Sequence, residues 1–152
     1  MRKVQGLKEC FWCEAPTFSE GTKTAAQKKG LEYERRVQRM LRHCYSDYGV
    51  VKPGPWIRFR DNGGPGLCQP DLVIVPNDPD RPVIVVEIKL TKVRAAKVKL
   101  KLLYGRLVGE LEKRKVVTIQ VFKNKGPKGE KEVDFQEFHS LRAGAHRDCH
   151  WL

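Results

Sequence analysis

What the sequence lacks narrows it first. No run of about 18 apolar residues occurs in its 152 residues, which excludes a membrane-spanning helix and leaves no membrane partner to expect. The opening Met1-Arg2-Lys3-Val4-Gln5-Gly6 has no apolar stretch of a secretory leader, so a cytoplasmic, intracellular setting is expected. No internal repeat and no low-complexity block occurs, so neither an array nor a disordered tract is expected. Cysteine is sparse and odd in number: Cys10, Cys13, Cys44, Cys68 and Cys149. Without a leader, such usage points to thiols or thiolate ligands, not disulfides. Acidic residues are also in short supply, 18 against 30 Lys and Arg, for a net charge of +12.

That excess is local. Residues 89–131 carry 14 basic and three acidic side chains, a net of +11, while the other 109 residues carry 16 and 15. Such a stretch predicts a polyanionic partner, because neutralising phosphates releases their condensed counterions. The plainer reading is a solvated basic face.

Hydrophobic content of 40% at this length suits one domain, 1–152. Its core is expected at about 24–123, after a loop-rich arm (1–23) that holds a Cys-x-x-Cys and before a His/Cys-bearing tail (124–152). Thr24 is a candidate N-cap for a helix over 25–44, where Leu31, Glu34, Val37 and Leu41 share one face. Extended segments are expected at 56–60, 71–75, 82–89 and 116–122. The Asn77-Asp78-Pro79-Asp80 turn should join the second to the third as antiparallel neighbours buried on both faces. Gly63-Gly64-Pro65-Gly66 reads as a hairpin turn. A second helix is expected over 93–113 and a last short one over 134–142. The core order is α-β-β-β-α-β.

Charges in buried strands need a cause. Asp71 opens one apolar strand, and Glu87-Ile88-Lys89 ends the next. Alternation puts Glu87 and Lys89 on one face and Ile88 on the other. If the strands pair, Asp71 lies beside Glu87, and Glu34 on the apolar face of the first helix points at the same spot. Clustered carboxylates repel unless neutralised, and a divalent cation with hard oxygen ligands does so. Such an ion also activates water; Glu34 would complete the metal shell or hold a metal-bound water, and Lys89 would orient that water or stabilise charge on a reacting phosphate.

Pro70-Asp71 followed sixteen residues later by Glu87-Ile88-Lys89 resembles the PD-(D/E)xK nuclease motif. Gly30-Leu31-Glu32-Tyr33-Glu34-Arg35-Arg36-Val37 is similar to the Gly-x-x-Tyr/Phe-Glu-x-x-Val of several branches, and the resemblance covers about 27–122. It implies an α/β, restriction-endonuclease-like αβββαβ core, with a mixed central sheet flanked by helices. It further implies Mg²⁺ (or Mn²⁺) held by Asp71, Glu87 and the Ile88 carbonyl, with Glu34 as the helix acid and Lys89 as the catalytic lysine. Small phage nucleases and Holliday-junction resolvases share this layout, which brings in a homodimer and a phage source as expectations. Tyr104 matches the tyrosine of the exonuclease branch, but Leu100 stands where that branch has Gln. An endonuclease acting on DNA, directed by structure or ends, is therefore expected.

Lys92, Arg94, Lys97, Lys99 and Lys101 follow the motif directly, and Lys123, Lys125 and Lys128 extend the track. With Arg58 and Arg60 they are the expected DNA contacts. Cys10 and Cys13 share a three-residue offset with His146 and Cys149, so a structural Zn²⁺ joining the termini is a second candidate site. Two rival readings remain: a non-catalytic DNA-binding or nucleoprotein-particle component with the same fold, and a zinc-based interaction protein.

Overall fold

A computed structural model describes residues 3–17, 22–89, 99–125 and 131–133. Along the chain run β1 (Glu9–Cys13), α1 (Ala25–Tyr45), β2 (Gly49–Pro53), β3 (Trp56–Asp61), β4 (Gly64–Cys68), β5 (Leu72–Pro76) and β6 (Val83–Lys89). A π-helical turn (Leu100–Tyr104) leads into α2 (Gly105–Glu112), and β7 (Val116–Lys125) and β8 (Lys131–Val133) follow. The protein is mixed α/β, with two sheets and two helices among the described residues. No helix there is long and apolar enough to cross a membrane. The helix expected at 134–142 lies outside the described residues.

The central sheet has the order β2-β5-β6-β7-β8. Its heart follows from sequence: Leu72-Val73-Ile74-Val75 and Val83-Ile84-Val85-Val86 are β-branched or apolar throughout, which suits strands covered on both sides. They pair antiparallel, Leu72 with Val86 and Ile74 with Ile84, as the turn chemistry predicts. Arg114 fastens that turn, its Nη1 donating to the carbonyls of Pro76 (3.0 Å) and Asp78 (3.1 Å). β7 then lies parallel to β6, Val83 opposite Val116 through Lys89 opposite Phe122. A parallel neighbour needs a crossover, and α2 lies in it.

One face of the sheet is covered by α1. Tyr33, Val37 and Leu41 pack on Leu72, Ile74, Ile84, Val86 and Ile88. On the other face Leu103, Tyr104, Leu107 and Val108 pack on Val73, Val83 and Val85, together with Ile57, Phe59 and Cys68 of the second sheet. Each fully buried Leu or Ile contributes about 1.5–3 kcal/mol by leaving water. Leu72→Ala, at a position with no exposure, should cost about 3 kcal/mol.

Helix α1 starts where Thr24 predicts. The Thr24 side chain accepts from Gln27 N (3.2 Å), and Gln27 Oε1 accepts from Thr24 N (2.9 Å), closing a capping box. This fixes the first turn of the helix that carries Glu34.

Several expectations are corrected. The segment 56–60 is a strand but not part of the central sheet; β3 pairs with β1 and β4 in a separate antiparallel three-stranded sheet. The strand before β5 in the central sheet is β2, a short edge strand with weak alternation that lies against β5 from Gly49↔Pro76 to Pro53↔Leu72. The arm read as loop holds β1. Gly64-Pro65-Gly66 is β4 rather than a turn, and the chain reverses at Asn62-Gly63, where Asp61 Oδ1 accepts from Gly63 N (2.9 Å). Gly66 is required there, since a Cβ would collide with the Phe59 ring. Cys10, Cys13 and Cys68 are free thiols, but Cys44 is disulfide-bonded, against the expectation of thiols throughout. Pairing depends on which segments meet in space, and an odd count does not forbid one bridge.

Candidate active site

The acidic cluster assembles at the end of β6. Asp71 immediately precedes β5, and Glu87 and Lys89 close β6, so the hairpin brings them together. Asp71 Oδ2 accepts from Ile88 N at 2.6 Å, a side-chain bond that ties the loop before β5 to the last turn of its neighbour. The Asp71 carbonyl is held from two further sides, by Gly54 N (2.9 Å) and by Gln38 Nε2 (2.7 Å). Ile88 points into the α1 core as alternation requires, which puts Glu87 and Lys89 on the Tyr104 face.

Glu34 arrives from the opposite side of the sheet, on α1. Gln38, one turn later, donates to Glu34 Oε1 (3.4 Å) with the same amide nitrogen that binds the Asp71 carbonyl. It therefore links the helix acid to the strand acid. Sequence reasoning missed Gln38; its signal is the four-residue offset from a glutamate already singled out.

Lys89 Nζ lies 3.3 Å from Glu87 Oε1. Glu87 itself is only 3% exposed. Burial, and then the neighbouring Asp71, push its carboxyl up to about 8, with Lys89 pulling the other way. Glu34 is pushed up to about 7, again by burial first and Asp71 second. When protonated, both glutamates hydrogen-bond the Asp71 carboxyl, so in the absence of a cation protons neutralise the cluster. Tyr104, buried beside them, has its hydroxyl pushed well up by burial and by Glu87.

Whether these groups suit a cation is decided by two facts. When Glu87 is ionised its buried Oε2 meets no hydrogen-bond donor, which is costly unless a cation or a proton meets it. The donors are carboxylate oxygens and a strand-end carbonyl, the set a hard divalent ion takes. Among the described residues no group of three or more His, Cys, Asp or Glu is arranged to hold an ion. The chemistry of the donors fits Mg²⁺ or Mn²⁺. A cavity of ≈580 Å³ opens beside the cluster, lined by Lys23, Gln27, Gly30, Glu34, Ile88 and Lys89.

The remaining sequence candidates fall elsewhere. Arg58 and Arg60 are exposed on β3, and Arg60 pairs with Glu9 at 3.2 Å. Lys99 Nζ sits 5.2 Å from the Tyr104 ring centroid, near the cluster. Lys92, Arg94, Lys97 and Lys128, and the side chains of Lys101, Lys123 and Lys125, lie outside the described residues. So do His146 and Cys149. Cys10 and Cys13 sit in β1, where an offset of three turns them to opposite faces. Cys10 Sγ donates to the Leu107 carbonyl (3.8 Å), and burial pushes its thiol up to about 11. No family model, curated protein or solved structure matches the chain.

Proposed function

We propose that the chain is a metal-dependent DNA nuclease of the PD-(D/E)xK type, an endonuclease directed by DNA structure or ends. The observation that carries this reading is the meeting of Glu34, Asp71, Glu87 and Lys89, from α1, the β5 approach and the end of β6, at one end of the central sheet. Element order supports it as well. With the β3–β4 hairpin set aside as an insertion, α1-β2-β5-β6-α2-β7 follows the αβββαβ plan.

In this reading Asp71, Glu87 and the Ile88 carbonyl hold Mg²⁺ or Mn²⁺, which would neutralise phosphate charge and acidify a water. Lys89 presents an ammonium beside Glu87 and stabilises charge that develops on the phosphate oxygens. Glu34, whose Oε1 accepts from Gln38, would complete the ion's shell or hold one of its waters through Oε2. Gln38 and Ile88 N keep Asp71 and Glu34 in register across the end of the sheet.

A panel of linear, nicked, single-stranded, flapped and four-way DNA, incubated with Mg²⁺, tests the reading. Cleavage of at least one substrate is expected, absent with EDTA and absent in Asp71→Ala, Glu87→Ala and Lys89→Ala. Retention of cutting by Glu87→Ala would sink the assignment. DNA binding without cutting by the intact chain would favour the non-catalytic component.

A further inference from the structure

The basic stretch at 89–131 is not the chain's only concentration of positive charge. Helix α1 buries Tyr33, Val37, Leu41, Cys44 and Tyr45 on one side. Its exposed residues include Lys28, Arg35, Arg39 and Arg42. At about 100° per residue these four fall within about 60° of one another, opposite the buried stripe. They border the side of the helix that bears Gln27, Leu31, Glu34 and Gln38, hence the cavity beside the acidic cluster. The four cations thus form a row that passes alongside the site, Lys28 before the level of Glu34 and Arg35, Arg39 and Arg42 after it, with the exposed Glu32 beside the gap.

Three properties separate this row from a solvated face. None of the four makes a salt bridge among the described residues. Arg35–Arg39 and Arg39–Arg42 are like-charge neighbours at i,i+4 and i,i+3, each destabilising the helix by about 0.2–0.5 kcal/mol. Solubility alone is served as well by alternating signs. Finally, three of the four are arginine, whose planar fork takes phosphate oxygens in pairs.

We infer that the Lys28–Arg35–Arg39–Arg42 row is a phosphate rail for one strand of a DNA duplex, which it carries past the acidic cluster. This inference rests on the nuclease reading of that cluster. The row spans about 21 Å at 1.5 Å per residue. Successive phosphates of one B-DNA strand rise about 3.4 Å along the axis and turn about 36° around it, so a straight row of this length runs beside on the order of four of them, about one for each cation. No aromatic side chain stands in the row to stack an unpaired base, which favours a duplex over a single strand. The buried stripe is committed to the core, so the helix has no apolar face to insert into a lipid surface.

The test uses a Glu87→Gln background, so that DNA is bound without being cut. Affinity for a 20-base-pair duplex is measured from about 50 to 300 mM KCl, with and without Arg35→Gln, Arg39→Gln and Arg42→Gln together. Gln has nearly the helix propensity of Arg, and far-ultraviolet circular dichroism checks the helix. The expected result is a salt slope (log K against log salt) shallower by about 2.7, at about 0.9 for each phosphate that is no longer neutralised. Removing the same charge at Lys3, Lys8 and Arg81, all exposed, off α1 and outside the 89–131 stretch, should change the slope by less than about 1. An unchanged slope in the α1 arginine variant, or an equal change in the control off α1, overturns the rail. So does a single strand of equal length held as tightly through the same arginines, or binding to phosphatidylserine vesicles in place of DNA. A slope that falls as expected in a chain that cuts no DNA would remove the nuclease reading and leave the rail. A chain that cuts DNA with the slope unchanged would remove the rail alone.

Discussion

Neutralising Glu87 without altering its shape should stabilise the cation-free protein at alkaline pH. The carboxyl is buried, and burial together with Asp71 raises it from an ordinary 4.5 to about 8. The folded chain therefore binds this proton more tightly than the unfolded chain does. Its contribution to stability is whole below about pH 4.5 and is lost as pH rises through about 8. A displacement of that size is worth about 5 kcal/mol. Glu34, raised to about 7 in the same cluster, acts in the same direction. For a chain of this length each kcal/mol moves Tm by about 2–4 °C, so wild type in EDTA should lose on the order of 10 °C between pH 5 and 9. Glu87→Gln should keep most of that, and millimolar Mg²⁺ should restore much of it to wild type at pH 8 by replacing the lost protons as counter-charge. Thermal melts followed by circular dichroism, pH unit by pH unit, read the effect directly. A wild-type Tm that is flat or rising over this range, or a Glu87→Gln profile parallel to wild type, would refute the reasoning.

Two further outcomes are expected. Gln38→Leu removes both amide bonds that link Glu34 to the Asp71 carbonyl, so cleavage should fall about 10–100-fold with duplex affinity little changed; an unaffected rate would mean that Gln38 positions nothing. Arg114→Met leaves the Pro76 and Asp78 carbonyls without their guanidinium donor, at a cost of about 1–3 kcal/mol and a Tm lower by several degrees, with activity per folded molecule preserved.

The meeting of the acidic side chains with Lys89 was more legible than the fold around it. Asp71, Glu87 and Lys89 stand out because charge at the ends of two apolar strands has few explanations, and the hairpin turn fixes their proximity. Glu34 was readable because it interrupts an apolar helical stripe. The sheet's edge was not. Gly49-Val50-Val51-Lys52-Pro53 is short and is covered on few sides, so its periodicity is weak, whereas Trp56-Ile57-Arg58-Phe59-Arg60 alternates clearly but serves a different sheet. Alternation reports a half-buried strand and is silent on which sheet owns it. The α1 row escaped a segment-by-segment charge count, because acids elsewhere in the chain cancel it on paper while only the helical surface brings its cations into line. The Cys44 bridge escaped because spacing carries no information on which cysteines pair.

The most direct measurement is nicking of supercoiled plasmid by purified chain with Mg²⁺, wild type beside Glu87→Ala and Lys89→Ala. The expected result is conversion to open circle by wild type, abolished by EDTA and by each substitution, while both variants still retard DNA in a gel. Nicking that persists in Glu87→Ala, or that proceeds equally in EDTA, would contradict the account.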